Sequence, residues 1–401
     1  MERVTIDRLT DEQLREKRVL VRVDFNVPLE EGRVVDDTRI RATLPTLDYL
    51  LEKKARIILV SHLGRPGGKR DPRYSLAPAA ERLQELINAP VGFVDDVVGE
   101  DARTAVKALN PGEVLVLENV RFLDGEERND AELGKALAAL AHVYVNDAFG
   151  AAHRAHSSTV AVAEAMRREQ RPAVAGILME RELRYLGEAL QAPEKPFVAL
   201  LGGAKISGKI EVIENLLPRV DRLLCGGAMA NTFFRALGLE TGTSLVEEDR
   251  VDVARDLLGR AGSKLVLPVD GVIAAEAAAG AETWIVERDS VPEDKRIMDI
   301  GPKSAAVFSE FIQSAETILW NGPMGMFELP EFRKGTEAVA RAVAGATEAG
   351  ATSIIGGGDT VAALHAAGLS ENVSHVSTGG GASLEFLEGK VLPGVAALDT
   401  H

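Results

Sequence analysis

The sequence predicts an α/β protein with two doubly wound, Rossmann-like parallel-sheet domains joined by a hinge helix. First, the chain has 401 residues, more than one ordinary hydrophobic core organises. Second, short apolar runs typical of strands buried on both faces alternate with amphipathic helical patterns. Third, this alternation stops at a long amphipathic pattern over 172–191 and starts again at Phe197. We therefore expect an N-terminal domain over 1–171, the hinge helix over 172–191 and a C-terminal domain over 192–387, facing each other across a cleft.

The composition is that of a globular protein, with 46% hydrophobic and 27% charged residues. A net charge of −15 and an aromatic content of 4% argue against nucleic acid or an anionic membrane as a partner. Cys225 is the single cysteine, so we expect a small core residue in a reducing compartment, without an intrachain disulfide. The first residues lack the apolar segment of a signal peptide, and no apolar run is long enough to span a bilayer. We therefore expect a cytoplasmic protein.

The first apolar run of the chain ends in three polar residues, Arg22, Asp24 and Asn26. Polar groups in a buried strand are costly unless they are paired or functional, and open α/β sheets bind ligands at the carboxyl ends of their strands. A helix is predicted to start at 36–38, with Arg39 in its first turn. Because a cation there opposes the helix dipole, Arg39 predicts an anion nearby.

Basic residues also follow the next strands of the N-terminal half. Strands are predicted at 56–61, 114–117 and 142–146, with helical patterns at 79–87 and 131–140. The loops after these strands contain His62, Arg65, Arg121 and Arg154. Singly, each could be a solvated surface charge. Because the carboxyl ends of parallel strands meet at one edge of a sheet, together they predict a site for a small polyanion such as a phosphorylated metabolite.

The C-terminal half repeats a pattern of strand, glycines and helix. A strand at 197–201 leads into a loop in which Gly203 to Lys209 fits the first seven positions of a Walker A motif. Ile210 stands where a Walker A motif needs Ser or Thr to bind magnesium, and Lys205 is an additional lysine. The match is therefore either a false one or a different kind of phosphate-binding loop. Further strands are predicted at 223–225, 264–268 and 317–320, while 270–301 shows no regular pattern.

The strongest local signal is the stretch 353–361, where a β-branched strand meets three glycines and then a helix. Glycines at such a turn allow close approach of a ligand, and the helix N-terminus favours an anion. Asp359 could cap this helix or hold a divalent cation against a phosphate. The pattern recurs at 378–383, and two neighbouring glycine-rich helix starts predict a phosphate site.

Eight ordered motifs make the chain resemble the phosphoglycerate kinase family over essentially its whole length. They lie at 22–28, 61–66, 118–122, 147–158, 202–209, 320–328, 356–360 and 378–383. The chain departs from the family pattern at Gly208, where the family often has Asp, and at Ile297-Met298-Asp299, where it commonly has Gly-Leu-Asp.

The resemblance implies a two-domain hinge kinase that moves a phosphoryl group between 1,3-bisphosphoglycerate and ADP, giving 3-phosphoglycerate and ATP, as in glycolysis and gluconeogenesis. It also implies magnesium bound with the nucleotide, a monomer, and a tail from about residue 388 that returns to the N-terminal domain. The triose site would be Asp24, Phe25, Asn26, Arg39, His62, Leu63, Gly64, Arg65, Arg121 and Arg154. The nucleotide site would be Lys205, Glu328, Gly357, Gly358, Asp359 and Thr360, with Asp359 on the metal. The catalytic groups would be Arg39, Lys209, Gly380 and Gly381.

Two other functions are compatible with parts of the sequence. A P-loop NTPase could use Gly203 to Lys209, although Ile210 argues against it. A non-catalytic nucleotide sensor on the same fold would predict losses among the basic residues or the lysines, and all of them are present. We find no convincing Ser-His-Asp arrangement and no protein-kinase catalytic loop. Phosphoryl transfer between a carboxylate and a diphosphate needs no base, because both acceptors are already ionised.

Overall fold

The structure, a computed structural model, describes residues 3–400. The strands are β1 Arg18–Arg22, β2 Leu29–Glu30, β3 Arg33–Val34, β4 Arg56–Val60, β5 Val91–Val94, β6 Val114–Leu117, β7 Val143–Asn146, β8 Ala173–Ala175, β9 Phe197–Leu201, β10 Arg222–Cys225, β11 Leu265–Val266, β12 Asp270–Ala274, β13 Trp284–Glu287, β14 Arg296–Ile300, β15 Thr317–Asn321, β16 Thr352–Gly356 and β17 His375–Val376. The α-helices are α1 Asp11–Leu14, α2 Thr38–Glu52, α3 Ala77–Leu86, α4 Glu100–Ala108, α5 Ala131–Ala138, α6 Val162–Arg168, α7 Ile177–Gln191, α8 Ile210–Leu216, α9 Met229–Ala236, α10 Val251–Ala261, α11 Pro302–Gln313, α12 Lys334–Glu348, α13 Gly358–Ala366, α14 Gly381–Leu387 and α15 Pro393–Ala396.

These residues divide into two compact units. Unit 1 comprises 3–184 and 391–400, and unit 2 comprises 185–390. Each unit is organised around a parallel sheet with helices, so the predicted α/β class with two parallel-sheet domains is confirmed. None of the helices in the described part of the chain is long and apolar enough to cross a membrane.

The sheet of unit 1 has the strand order β5-β6-β4-β1-β7-β8, with parallel pairing throughout. Strand β1 lies inside the sheet because Val19, Leu20 and Val21 are all buried, which requires cover on both faces. Its neighbours are β4 on one side and β7 on the other, so strands that follow β1 in the chain are added to the sheet first on one side of β1 and later on the other. Open α/β sheets place their ligand crevice where the strand order reverses in this way.

Helix α2 positions a functional side chain beside that crevice. Ile40, Leu47 and Leu50 are buried, and their spacing puts them on one face of the helix against the sheet. The opposite face is exposed, and Arg39 stands in the first turn, as the sequence predicts. The helix therefore holds Arg39 near the carboxyl end of β1.

Unit 2 has the parallel strand order β11-β10-β9-β15-β16-β17, with β9 between β10 and β15. The region 270–301, for which the sequence showed no pattern, contains an antiparallel sheet in the order β13-β12-β14. Its edge strand β13 is largely exposed, so it lacks the continuous apolar signal of the parallel strands. This small sheet forms part of a cavity wall described below.

The predicted hinge helix over 172–191 is wrong at its start. Ala173–Ala175 forms strand β8, which pairs in parallel with β7, and α7 begins only at Ile177. Three residues are too few to show a strand period, and β8 exists because β7 offers a free edge. The first turn of α7 is held by Asp147, whose Oδ1 accepts hydrogen bonds from the backbone N–H groups of Leu178 at 3.0 Å and Met179 at 3.2 Å.

The C-terminal residues pack within unit 1. The backbone N–H of Gly394 donates to the carbonyl of Ala152 at 2.8 Å, and Nδ2 of Asn146 donates to the carbonyl of Gly394 at 3.1 Å. The boundary between the units falls inside α7, after Arg184, and the tail rejoins unit 1 at Val391.

Candidate active site

Arg39 of unit 1 is paired with a carboxylate at the end of β1. Its Nη1 lies 3.2 Å from Oδ2 of Asp24 and donates to the carbonyl of Asn26 at 3.1 Å. The anion that the sequence predicts near Arg39 is therefore supplied, in the protein itself, by Asp24. The Arg39 side chain keeps 37% of its surface exposed, so its remaining donors can reach a bound ligand.

The loop after β4 is tied to the same place by Asn26 and Arg121. The N–H of Gly64 donates to Oδ1 of Asn26 at 2.9 Å, and Nη1 of Arg121 donates to the carbonyl of Gly64 at 2.7 Å. Gly64 has φ +62°, and a Cβ there would lie 2.3 Å from the Tyr74 ring, so only glycine fits. Loops that follow β1, β4 and β6 are thus joined by direct hydrogen bonds.

His62 lies inside this arrangement and is only 6% exposed. Burial, followed by the positive charges of Arg22, Arg121 and Arg39, lowers the pKa of His62 well below its ordinary value. Burial also lowers the pKa of Arg121; the negative charge of Glu127 partly opposes this shift, and the nearby arginines add to it. A region in which cations disfavour each other's charge favours a bound anion.

The other residues assigned to the triose site differ in exposure. Phe25 and Leu63 are buried; the N–H of Phe25 donates to Oγ of Ser61 at 2.8 Å, so both shape the loops. Arg65 and Arg154 are exposed. Arg65 contributes to the lowered pKa of Arg121, and Arg154 to that of His156, so each lies within electrostatic reach of the buried groups.

Sequence reasoning singled out Arg22 as a polar residue of a buried strand but missed the buried groups that pair with it. Arg22 is fully buried, and its Nε donates to Oγ of Ser158 at 2.8 Å. Glu126, also fully buried, accepts from the N–H and the Oγ of Ser158. The high cost of a buried arginine was a signal that it needs a partner, but no local pattern identifies Glu126 as a buried carboxylate.

In unit 2, Lys209 precedes helix α8, and its Nζ donates a hydrogen bond to Oδ1 of Asn321, at the end of β15. Burial lowers the pKa of Lys209 to about 8, partly opposed by the negative charges of Asp359 and Glu388. A bound phosphate would stabilise the charged form of Lys209, because its negative charge offsets the cost of burying the ammonium group.

A cavity of about 370 Å³ brings together the residues predicted to contact phosphates. Strand ends and glycine-rich helix starts form its walls, which suits a ligand that accepts backbone N–H donors. The lining includes Lys205, Lys209, Asn321, Gly357, Gly358, Asp359, Thr360, Gly380 and Gly381.

Asp359 does not cap helix α13. Gly357, with φ +88°, occupies the N-cap position and Gly358 begins the helix, which leaves Asp359 in the first turn with an exposed side chain. Thr360 is buried, and its Oγ1 accepts from the N–H of Gly322 at 2.6 Å. Thr360 therefore joins two loops, while the Asp359 carboxylate faces the cavity.

A second cavity, of about 330 Å³, adjoins the first, and Gly203, Ala204, Pro323 and Asp359 line both. Most of its lining surface is apolar, with Phe234 of α9 and Met324 contributing, and the lining also includes several charged residues, Glu328 among them. A mainly apolar cavity that also offers polar groups suits a flat heterocycle and its sugar. The two cavities together fit a nucleoside joined to phosphates.

Residues 297–299, where the sequence departs from the family pattern, line part of this second cavity. Asp299 is buried and accepts hydrogen bonds from the N–H groups of Ile300 at 2.9 Å and Gly335 at 2.7 Å. Burial raises the pKa of Asp299 to about 7. The segment therefore links β14 to the start of α12 behind the cavity.

The described residues contain no group of three or more His, Cys, Asp or Glu side chains arranged to hold a metal ion. Asp359 offers one exposed carboxylate beside the phosphate-sized cavity. Mg²⁺ is commonly bound by one or two carboxylates, with phosphates and waters as the other ligands. The residues present thus fit a magnesium ion that arrives with a nucleotide.

Comparison with known proteins gives one consistent result. The family model of phosphoglycerate kinase matches residues 9–390. The chain is 57% identical over 388 residues to a phosphoglycerate kinase of Chloroflexus aggregans, covering 95% of this chain and 96% of that protein. It is 54% identical over 403 residues to that of Synechococcus elongatus, covering 100% and 99%. The solved structure of phosphoglycerate kinase from Coxiella burnetii matches with a TM-score of 0.88, 42% identity and 99% and 98% coverage. The chain belongs to the phosphoglycerate kinase family.

Proposed function

We propose that the protein is a phosphoglycerate kinase that transfers a phosphoryl group reversibly between 1,3-bisphosphoglycerate and ADP. In the direction of ATP formation, the bond between phosphorus and the acyl oxygen breaks, and a bond from phosphorus to a β-phosphate oxygen of ADP forms. The leaving group is the carboxylate of 3-phosphoglycerate, which is stable without a proton. The observation that carries the proposal is the apolar cavity adjoining a cavity lined by Lys205, Lys209 and Asp359.

The triose is proposed to bind to unit 1. Arginines suit this role because a guanidinium donates two parallel hydrogen bonds to a phosphate or carboxylate. The proposed ligands are Asp24, Phe25, Asn26, Arg39, His62, Leu63, Gly64, Arg65, Arg121 and Arg154. The hydrogen bonds from Arg39 to Asn26 and from Arg121 to Gly64 support this assignment, since they hold the donors in place before a ligand binds.

The nucleotide is proposed to bind to unit 2, with its base in the apolar cavity and Glu328 beside the sugar. Lys205, Gly357, Gly358 and Thr360 would contact the phosphates, and Asp359 would hold Mg²⁺. When bound, the ion neutralises phosphate charge and orients the transferred group. The exposed Asp359 carboxylate, which lines the same cavity as Lys205, Lys209 and the glycine-rich helix starts, supports this role.

The transfer is proposed to rely on positioning and charge, without a general base. Arg39, Lys209 and the Gly380-Gly381 helix start would stabilise the negative charge on the equatorial oxygens of the transferred group. Transfer requires the two substrates to meet and water to be excluded, so we propose movement about helix α7, in which the boundary between the units falls, during catalysis. We also propose a cytoplasmic monomer, consistent with the single, buried Cys225.

The experiment is a coupled assay for ATP formation from ADP and 1,3-bisphosphoglycerate with the purified protein. Activity should require both substrates and Mg²⁺, and Lys209→Ala should abolish most of it while leaving the circular dichroism spectrum unchanged. ATP hydrolysis without the triose would favour a P-loop-type NTPase. Nucleotide binding without any transfer would favour the non-catalytic sensor.

A further inference from the structure

We propose that Arg22 is a positioning residue that fixes neutral His62 as the tautomer with its proton on Nε2, and that Ser158 and Glu126 hold Arg22 in place. The proposal deepens the proposed function, on which its catalytic consequence rests. It assigns to His62 the role of a neutral hydrogen-bond donor towards an oxygen of the bound triose. Arg22, Ser158 and Glu126 would act only through His62.

The tautomer follows from the contact between two nitrogens. Nη2 of Arg22 lies 3.1 Å from Nδ1 of His62, both residues being buried. An arginine side chain has five N–H donors and no acceptor, and it stays charged at any pH at which a protein is folded. Nδ1 of His62 must therefore accept, so a neutral imidazole carries its proton on Nε2.

The surroundings of His62 oppose the alternative, a protonated ring. An imidazolium would present Nδ1–H to Arg22, donor against donor, and the Asp24 carboxylate is too distant to compensate, with Oδ1 at 3.9 Å from Nδ1. The charged groups facing His62 are Arg22 from β1, Arg39 from α2, Arg121 after β6 and Asp24, and the His156 ring, whose pKa is itself lowered to about 4 by burial, is a further titratable group there. Burial and these cations lower the pKa of His62, in agreement with the hydrogen-bond geometry.

Arg22 is held in place by its other nitrogens. Nη1 donates to the carbonyl of Val23, and Nε donates to Oγ of Ser158 at 2.8 Å. Ser158 in turn donates from Oγ to Oε1 of Glu126 at 2.5 Å, and its backbone N–H donates to Oε2 at 2.9 Å. Each of the three guanidinium nitrogens of Arg22 thus has a hydrogen-bond partner, so the guanidinium cannot turn away from His62 without losing hydrogen bonds.

The first test needs no substrate. Histidine is labelled with ¹⁵N, long-range ¹H–¹⁵N correlation spectra are recorded near pH 7, and the His62 signals are assigned by their loss in His62→Gln. We expect an unprotonated Nδ1 and a protonated Nε2, unchanged down to at least pH 6. A protonated Nδ1, in either the neutral or the charged ring, overturns the proposal. The spectra report the His62 tautomer without any measurement of activity, so failure of this proposal can be distinguished from failure of the proposed function.

The second test uses neighbouring serines. Ser158→Ala removes the link between Arg22 and Glu126, whereas Ser157→Ala alters an equally buried serine that donates to the carbonyls of Gly125 and Asp130. In Ser158→Ala we expect His62 to show mixed tautomers, and the triose KM to rise roughly three- to tenfold, as for a weakened hydrogen bond. The nucleotide KM should stay constant, and Ser157→Ala should keep the His62 spectrum of the parent protein. Identical spectra and triose KM values in both variants overturn the role of Ser158.

Discussion

Lys209 and Asn321 are joined by a hydrogen bond between Nζ and Oδ1, although 112 positions separate them in the sequence. The carbonyl of Asn321 also accepts from the N–H of Gly202 at 3.0 Å, so one residue holds both ends of the 202–209 loop. The lysine is thus positioned before a phosphate arrives, in surroundings that lower its pKa to about 8.

Lys209 should make nucleotide use sensitive to alkaline pH. Since its pKa in the free protein is lowered to about 8, the amine loses its charge as the pH rises through that value. We expect kcat/KM for ADP to fall on the alkaline side of pH 8, because kcat/KM reports groups of the free enzyme. Lys209→Arg keeps its charge, so this alkaline decline should disappear in that variant. The same decline in both proteins would assign it to another group.

Arg39→Ala should separate turnover from binding. An interaction that strengthens as charge develops on the transferred group lowers the barrier without tightening ground-state binding. We expect turnover to fall by about a hundred- to a thousandfold while the Michaelis constants change much less. Arg65→Ala is the matched control, and it should chiefly raise the triose KM. If Arg39→Ala shows that same pattern, Arg39 is a further phosphate anchor.

Asp359→Asn should weaken magnesium-dependent nucleotide binding without destabilising the fold. The side chain is exposed and Gly357, rather than Asp359, occupies the N-cap of α13. We expect the Mg²⁺ concentration for half-maximal activity to rise by at least roughly tenfold, because loss of a residue that only supports a metal ligand already costs about ten- to a hundredfold in metal affinity. The thermal midpoint should change little. A large fall in the midpoint with unchanged kinetics would mean that Asp359 is structural.

Asp299 should make stability decrease between acid and neutral pH. Its pKa is raised from 3.8 to about 7, so the native state binds more protons than the unfolded chain between these values. The free energy of unfolding contributed by this group falls as pH rises through that window, in total by on the order of 4 kcal/mol. Urea unfolding of Asp299→Asn should show a weaker decrease, since other titrating groups are common to both proteins. Parallel pH profiles would contradict this.

Cys225→Ala should remain active. The thiol is buried at the end of β10, and burial raises its pKa, so it stays protonated and unreactive. We expect full turnover and a loss of about 1–2 kcal/mol in the free energy of unfolding, from the small cavity left behind. A thiol reagent should label the parent protein only after denaturation. Complete inactivation by the substitution would show that Cys225 has a chemical role.

Much of the fold was predictable because its signals are local. Continuous apolar runs indicate β1, β4, β9 and β15, and glycines followed by helical patterns indicate the turn before α13. Strands buried on both faces and glycine-rich helix starts carry these signals in a few consecutive residues. The sequence by itself therefore determined the fold class, the family resemblance and the set of candidate residues.

Other features exist only through contacts between distant residues. Strand β8 is three residues long and depends on the edge of β7, and β13 is an exposed edge strand without a continuous apolar run. Burial of Glu126 beside Arg22, and the pairing of Lys209 with Asn321, join residues that no sequence spacing relates. Burial, tautomers and pKa values depend on which groups the tertiary structure brings together, because desolvation and charge act through space. The sequence determined which chemical groups were available, and the tertiary structure decided which of them are buried, which are paired, and which have shifted pKa values.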